Sequence, residues 1–320
     1  MVLYALRRVA LFVLGLAVTT VLVFVVLRVL PGDAAQVMAG LKGSPERVAQ
    51  LRAEYGMDRP LVAQYWDWIS GLLKGELGNS LVTGVPISGQ IASKLAVTLP
   101  LAGISLLVAV AIGLPAGIVA ALRFERRSGQ ALSALAQAAA AVPVVWAGLM
   151  LIALLGKGVG LWPLAPSQGF PLEGWSEPGR ALAALVLPAL AVGIVEGAVI
   201  LRFVRSALLD ATSQDHVRTG AALGLTKSAA LVKRGLPGAS AAILSVIGLQ
   251  AAGLVVGVVI VEALFALPGL GSMLVTDVGN RDLVKVQSTM VVLVGLVLCL
   301  GLVVDLATRL VDPRQRRAVA

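Results

Sequence analysis

The chain has 320 residues, 58% hydrophobic and 13% charged, with a mean hydropathy of +0.93. A water-soluble domain carries roughly 25% charged residues, so the composition excludes one, and apolar blocks of twenty or more residues exclude the ten-residue alternation of a β-barrel. The formal charge of +9 would suit nucleic acid, but in an all-α integral membrane protein it first reports topology.

The first element is an apolar helix at about 9–30 within MVLYALRRVALFVLGLAVTTVLVFVVLRVL. Its apolar stretch exceeds the 7–15 residues typical of a signal peptide, and no small-x-small cleavage site follows. It is expected to be a retained helix, making residues 1–30 one unit. A polar segment, 31–94, comes next. Within it SPERVAQLRAEY (44–55) predicts a short helix: Ser44 caps, Pro45 suits the first helical position, Glu46 complements the dipole and Gly56 stops it. In PLVAQYWDWISGLL (60–73), Leu61, Tyr65, Trp68, Ile69 and Leu72 share a helical face, with Trp66 beside them. Such a helix either lies along the membrane surface or packs on its own bundle.

Five further spans are predicted at about 95–122, 130–156, 181–204, 238–264 and 288–310. Each reaches about 20 residues, the length that crosses the hydrocarbon layer. Residues 95–311 thus form a five-helix unit that includes a polar loop, 209–237, and 312–320 are a tail. Pro115, Pro143 and Pro188 are expected to bend or open their helices. Irregular backbone is tolerated at depth where it packs in protein or lines a cavity, so Pro143 and Pro188 point to a pathway. Glu196 lies mid-span, where a carboxylate must face water, protein or a cation. It is read either as part of a pathway or as an interhelical bond. Arg202 and Arg205, nearer the span end, are expected to snorkel. Glu262 and Asp305, near span ends, are given structural roles. Cys299 cannot form an internal disulfide and is expected to be a packing residue.

Lys and Arg total 26. With the N-terminus in the cytoplasm, that side receives Arg7, Arg8, Arg123, Arg126, Arg127, Arg202, Arg205, Arg218, Lys227, Lys233, Arg234, Arg309, Arg314, Arg316 and Arg317. Only Lys157, Arg180, Arg281 and Lys285 fall to the short outer loops. Both termini, and the loop at 209–237, are therefore placed in the cytoplasm of a multi-pass cell-membrane protein.

The stretch DHVRTGAALGLTKSAALVKRGLP (215–237) reads as helix, break, helix. Gly224 suits the left-handed residue that ends a first helix, with Leu225 as its hydrophobic follower. Thr226 caps a second helix over 227–235, and Pro237–Gly238 mark the start of the fifth span. Val217, Ala221 and Leu225 would form an apolar strip beside Arg218 and Lys227. Such a surface either docks a partner or is a solvated loop whose charges fix topology.

Several patterns resemble those of one family. YGMDRPLVAQYWDWISGLLKGELGNS (55–80), LRVLPGD (27–33), VVIVEALFALPGLG (258–271), NRDLVKVQ (280–287) and VDLATRLVDPR (304–314) are similar to segments of the B-type permease subunit of ABC importers for oligopeptides, dipeptides and nickel. The resemblance covers nearly the whole chain. It implies six transmembrane helices in a type I importer permease architecture, with a cytoplasmic coupling helix between helices 4 and 5. The family's loop there has the pattern E-A-A-x3-G-x9-I-x-L-P, and Gly224, Leu236 and Pro237 match its spacing. Arg218-Thr219-Gly220 replace its first triplet and Arg234 its Ile, as peptide-family members resemble. The resemblance assigns ATPase coupling to Asp215, Arg218, Thr219, Gly220, Ala221, Gly224, Leu225 and Pro237. It further implies a second, similar permease subunit, two ATPase subunits that hold ATP and Mg, and an extracytoplasmic substrate-binding protein received in part by 31–94.

No G-x-x-x-x-G-K-[ST] motif is present, so any ATP chemistry is expected on a separate subunit, with no cofactor and no catalytic residue on this chain. His216 is the single histidine and is expected to make a surface hydrogen bond; paired-His metal sites and a Ser–His pair at membrane depth are excluded. The expected function is a peptide-importer permease that forms half of the translocation pathway in the lipid bilayer. The alternatives are a permease for nickel or another small solute and, in a different class, a membrane scaffold or enzyme.

Overall fold

In hydrocarbon every backbone N–H and C=O must be satisfied within its own segment, so continuous apolar runs fold as helices. The computed structural model describes residues 2–29, 34–39, 44–54 and 56–311. The tail 312–320, the end of the LRVLPGD pattern (30–33), residue 55 and the side chains of His216 and Ala221 lie outside the described residues. In chain order the helices are α1 (Val2–Val29), α2 (Ala34–Ala39), α3 (Pro45–Glu54), α4 (Leu61–Leu73), α5 (Ile87–Leu122), α6 (Arg127–Ala141) and α7 (Val144–Leu155). Two-residue strands β1 (Gly156–Lys157) and β2 (Ala165–Pro166) pair in parallel. There follow α8 (Pro178–Thr212), α9 (Asp215–Ala222), α10 (Lys227–Ala230), a π turn (Leu231–Gly235), α11 (Leu236–Leu264), α12 (Leu270–Gly279) and α13 (Leu283–Val311).

Among the described residues five helices are long and apolar enough to cross a membrane: Tyr4–Val29, Ile87–Leu122, Pro178–Thr212, Lys227–Leu264 and Leu283–Arg309. The sixth predicted span, 130–156, is not a single helix. It is α6 and α7, bent by 103° at the break between them. Val142, held extended at φ −76° and ψ 123°, precedes Pro143, whose ring disfavours the helical conformation in the residue before it. By contrast α5 runs on through Pro100 and Pro115, and α8 through Pro188. α5 also begins eight residues earlier than predicted. Ile87 and Ile91, one turn apart, pack with Leu270 and Met273 and hold this polar-flanked first turn in the core.

The centre of the bundle is the seam between α5 and α8. Each helix carries a Gly-x-x-x-Gly step, Gly113/Gly117 and Gly193/Gly197, and these meet. A Cβ on Gly113 would lie 2.5 Å from the Gly197 carbonyl oxygen, and one on Gly193 would lie 2.6 Å from Val108 Cβ. Lipid supplies no hydrophobic drive between helices, so close backbone approach of this kind holds them together. Above this seam Leu101, Leu185, Val192, Leu254, Val258, Val261 and Phe265 form the main buried cluster.

α1 packs on α13, where Leu298 lies over Gly15. Cys299, the next residue, is exposed. It points away from the bundle and is not the interior packing residue expected, since a thiol is apolar enough to face lipid. At the end that carries both termini, Asp305 pairs with Arg8 at 2.8 Å and Arg309 lies 3.9 Å over the Tyr4 ring. The α3 cap is formed as predicted, with Ser44 Oγ accepting from the Arg47 N–H at 3.3 Å. α4 touches α1: Tyr65 Oη bonds Thr20 Oγ1 at 3.0 Å, and Phe24 meets both Tyr65 and Trp68. Trp66, on the opposite side, stays 62% exposed.

Candidate functional site: a polar hairpin, a helix-end node and an intramembrane pair

The hairpin over 215–235 is built by backbone rules. Gly224 takes φ +92°, which ends the first helix, and the Leu225 N–H returns to the Gly220 carbonyl at 3.2 Å. Thr226 Oγ1 then accepts from the Ala229 N–H at 3.2 Å and starts the second helix. That helix does not stop at 235. It passes through the π turn, where the Leu236 N–H reaches the Leu231 carbonyl, and runs on into α11. Pro237 thus stands in the first turn of α11, as expected, but the membrane-crossing run continues unbroken from Lys227. A wider turn accommodates a proline that brings no N–H and crowds the carbonyl four residues earlier.

Asp215, Arg218, Thr219, Gly224 and Pro237 are exposed on this hairpin, Leu225 is half-buried and Gly220 is buried. The expected apolar strip is not presented as such. Val217 is buried, facing Gly235, because it closes the hairpin onto the base of α11. The apolar side chains turned outward are Leu223, 76% exposed, and Val232, 41% exposed, which the sequence reading missed; the place of Leu223 just before the helix-ending Gly224 was the available signal. Beside the hairpin lies a cavity of about 520 Å³ whose lining includes Arg123, Arg126, Arg218, Lys227 and Glu125. None of these four cations has an ion-pair partner among the described residues. The surface is thus basic, with one protruding leucine.

At the opposite end, Glu262 is fully buried where α11 stops. Its Oε1 accepts from Thr98 Oγ1 at 2.6 Å and its Oε2 from the Gly271 N–H at 2.6 Å, while Thr98 Oγ1 accepts from the Leu270 N–H at 2.9 Å. One carboxylate therefore caps α12 and ties it to α5 and α11. Gly269 and Gly271 are required here: a Cβ on Gly269 would fall 2.1 Å from the carboxylate, and one on Gly271 would fall 2.5 Å from Val259 Cα. The NRDLVKVQ pattern forms a second tie. Asp282 accepts from Ser80 Oγ, from the Leu81 N–H at 3.1 Å and from the Lys285 N–H at 3.3 Å, and Ser288 Oγ donates to the Leu77 carbonyl at 2.8 Å. Asp277 is buried beside Lys285 at 2.9 Å; desolvation pushes its carboxyl group above the ordinary range, and Lys285 opposes that shift.

Between these ends, Glu196 on α8 accepts from Gln250 Nε2 on α11 at 2.6 Å. One turn earlier on α8, Val192 meets Gly257 of α11, and Val144 approaches the same glycine. The Pro143 break is thereby brought close to Glu196. Pro188 is not brought to the pair: it is buried inside α8. Among the described residues no three His, Cys, Asp or Glu side chains are grouped to hold a metal ion.

Residues 113–317 match the family described as binding-protein-dependent transport system inner membrane component, and residues 1–102 match the N-terminal family of the same membrane components. The chain is similar to the dipeptide transport system permease protein DppB of Escherichia coli K12, with 33% identity over 333 residues and 98% of each chain covered. It is similar to a probable peptide ABC transporter permease protein of Sinorhizobium fredii, 33% identical over 98% of this chain and 99% of that one. It is also similar to a putative peptide transport system permease protein of Brucella abortus, 33% identical over 97% of this chain and 98% of that one. A solved structure of the MetNI methionine ABC transporter, in inward-facing conformations, shares the fold, with a TM-score of 0.54 and 20% identity over 69% of this chain and 96% of that chain.

Proposed function

The chain belongs to the family of inner membrane components of binding-protein-dependent transport systems, and from that premise we propose that it forms half of a translocation pathway for peptides. It is a multi-pass inner-membrane permease subunit of an ABC importer, a class that works with ATPase and binding-protein partners. The observation that carries the peptide reading is identity at 33% over nearly the full length of a dipeptide permease.

In this reading both termini and the 215–237 hairpin are cytoplasmic, as the distribution of Lys and Arg suggests. A second, similar permease chain completes the pathway, and two ATPase subunits bind ATP and Mg. The hairpin is the surface they grip: Leu223 would enter an apolar cleft, and Arg218 and Lys227 would orient it against acidic groups. Closure of the ATPases on ATP displaces the hairpin as a rigid body and changes which end of the bundle is open. The segment 31–94, tied to α13 through Ser80 and Asp282, helps receive the binding protein. The test is uptake into proteoliposomes holding the whole complex, with labelled dipeptide and labelled nickel offered in parallel through the binding protein. ATP-dependent accumulation of the dipeptide is expected. Accumulation of nickel alone would overturn the peptide reading and leave the transport class intact.

A further inference from the structure

Four carboxyl groups lie on the helices long enough to cross the membrane; Asp210 is exposed at the end of α8, and the other three differ in what they have left to offer. Asp305 is neutralised by Arg8. Glu262 is fully buried and held by Thr98 and by the Gly271 N–H. Glu196 is only half-buried, takes one hydrogen bond from Gln250 and has no cationic partner among the described residues. Arg202, six residues further along α8, faces the Phe203 ring instead. Glu196 Oε1 and Gln250 Oε1 thus remain two acceptors with no donor among the described residues.

The neighbourhood says what these acceptors face. The α6–α7 break adjoins Gly257, which Val192, one turn before Glu196 on α8, also meets, and Ala141, Pro143, Val145 and Trp146 around the break are exposed. Interrupted backbone and a carboxyl group are both costly against lipid tails, and both are tolerated against a partner helix or a water-filled path. Their proximity argues against a purely lipid-facing role for this part of the bundle. Its chemistry is acceptor-rich and uncompensated, which selects for a ligand that brings donors and a positive charge.

We propose that Glu196, supported by Gln250, receives a protonated amine of the cargo midway through the membrane; in a peptide this is the amino terminus. The inference rests on the peptide reading above and adds a charge preference within the membrane, separate from any made by the binding protein. Gln250 is a positioning residue, holding the carboxyl group by its Nε2 while leaving Oε1 free.

The test uses the assembled complex in proteoliposomes at saturating loaded binding protein, with a dipeptide and its des-amino counterpart that both load that protein. The readout is the ratio of their import rates, which does not depend on how much complex is folded. The wild type favours the free amine. Glu196→Gln is expected to lower that ratio by about tenfold, the loss of one hydrogen bond to a charged group, and Glu196→Asp to restore part of it. A ratio unchanged in Glu196→Gln overturns the proposal and leaves the peptide reading standing. A wild-type complex that imports neither compound refutes the peptide reading, and this proposal with it.

Discussion

Replacement of Glu262 is the sharpest test of the helix-end node. In Glu262→Ala the Gly271 N–H loses an acceptor at 2.6 Å, whereas the Thr98 hydroxyl can fall back on the Lys94 carbonyl at 3.2 Å. One orphaned buried donor costs about 1–3 kcal/mol. The one methylene removed from a fully buried site adds about 0.8 kcal/mol, which brings the loss to about 2–4 kcal/mol. Glu262→Gln keeps one oxygen for the Gly271 N–H and turns its amide toward Thr98, so it should cost only about 1 kcal/mol. Thermal unfolding of the purified chain in nanodiscs, followed by tryptophan fluorescence, should therefore rank wild type above Gln and Gln well above Ala. At about 2–4 °C per kcal/mol, the Ala variant should melt roughly 5–15 °C lower. A cycle with Thr98→Val should show coupling, because the two side chains share a bond. An Ala variant melting within about a degree of wild type would mean that the carboxylate holds nothing together.

Three other perturbations probe other parts of the molecule. Gly113→Val would drive its side chain into the Gly197 carbonyl and Ile200, so the yield of folded protein should collapse; a monodisperse, fully active variant would refute the close α5–α8 approach. Asp282→Ala should raise hydrogen–deuterium exchange across residues 77–86, since Ser80 and Leu81 lose their acceptor, whereas unchanged protection would show that this tie is idle. Gly224→Val forces a β-branched residue to φ +92°, at a cost of about 1–2 kcal/mol. In the assembled complex it should lower substrate imported per ATP hydrolysed, and an unaltered ratio would argue against the hairpin as the coupling surface.

Local physics made much of this legible in advance. Long apolar runs gave the spans, and the order Gly224, Leu225, Thr226 gave the break and the new cap, because left-handed backbone and N-capping are decided by neighbouring residues. The losses have two origins. One is oversight: the Gly-x-x-x-Gly steps at 113–117 and 193–197 were written in the sequence and passed unread. The other is distance along the chain. Glu262 meets Thr98 across 164 residues, and Asp282 meets Ser80 across 202, and no local pattern announces such pairs. Pro143 stands between the two cases. That it would bend its helix was readable; the 103° angle was not, because it is set by where α6 and α7 pack on α8. The π turn was hidden in the same way, since a proline at 237 signals a start or a distortion equally well.

The uninterrupted run from Lys227 to Leu264 has 38 residues, which at 1.5 Å per residue is a strut about 57 Å long. Its two extremities are phase-locked: Thr226 fixes one, and Glu262, facing Thr98, fixes the other. Inserting or deleting a single residue between them would rotate one extremity by about 100° relative to the other, turning the carboxylate away from its bonds while the hairpin kept its place. This stretch should therefore tolerate substitutions but not changes of length. The same stiffness means that a tilt of about 5° imposed at the hairpin would sweep the far tip through about 5 Å, close to the rise of one helical turn.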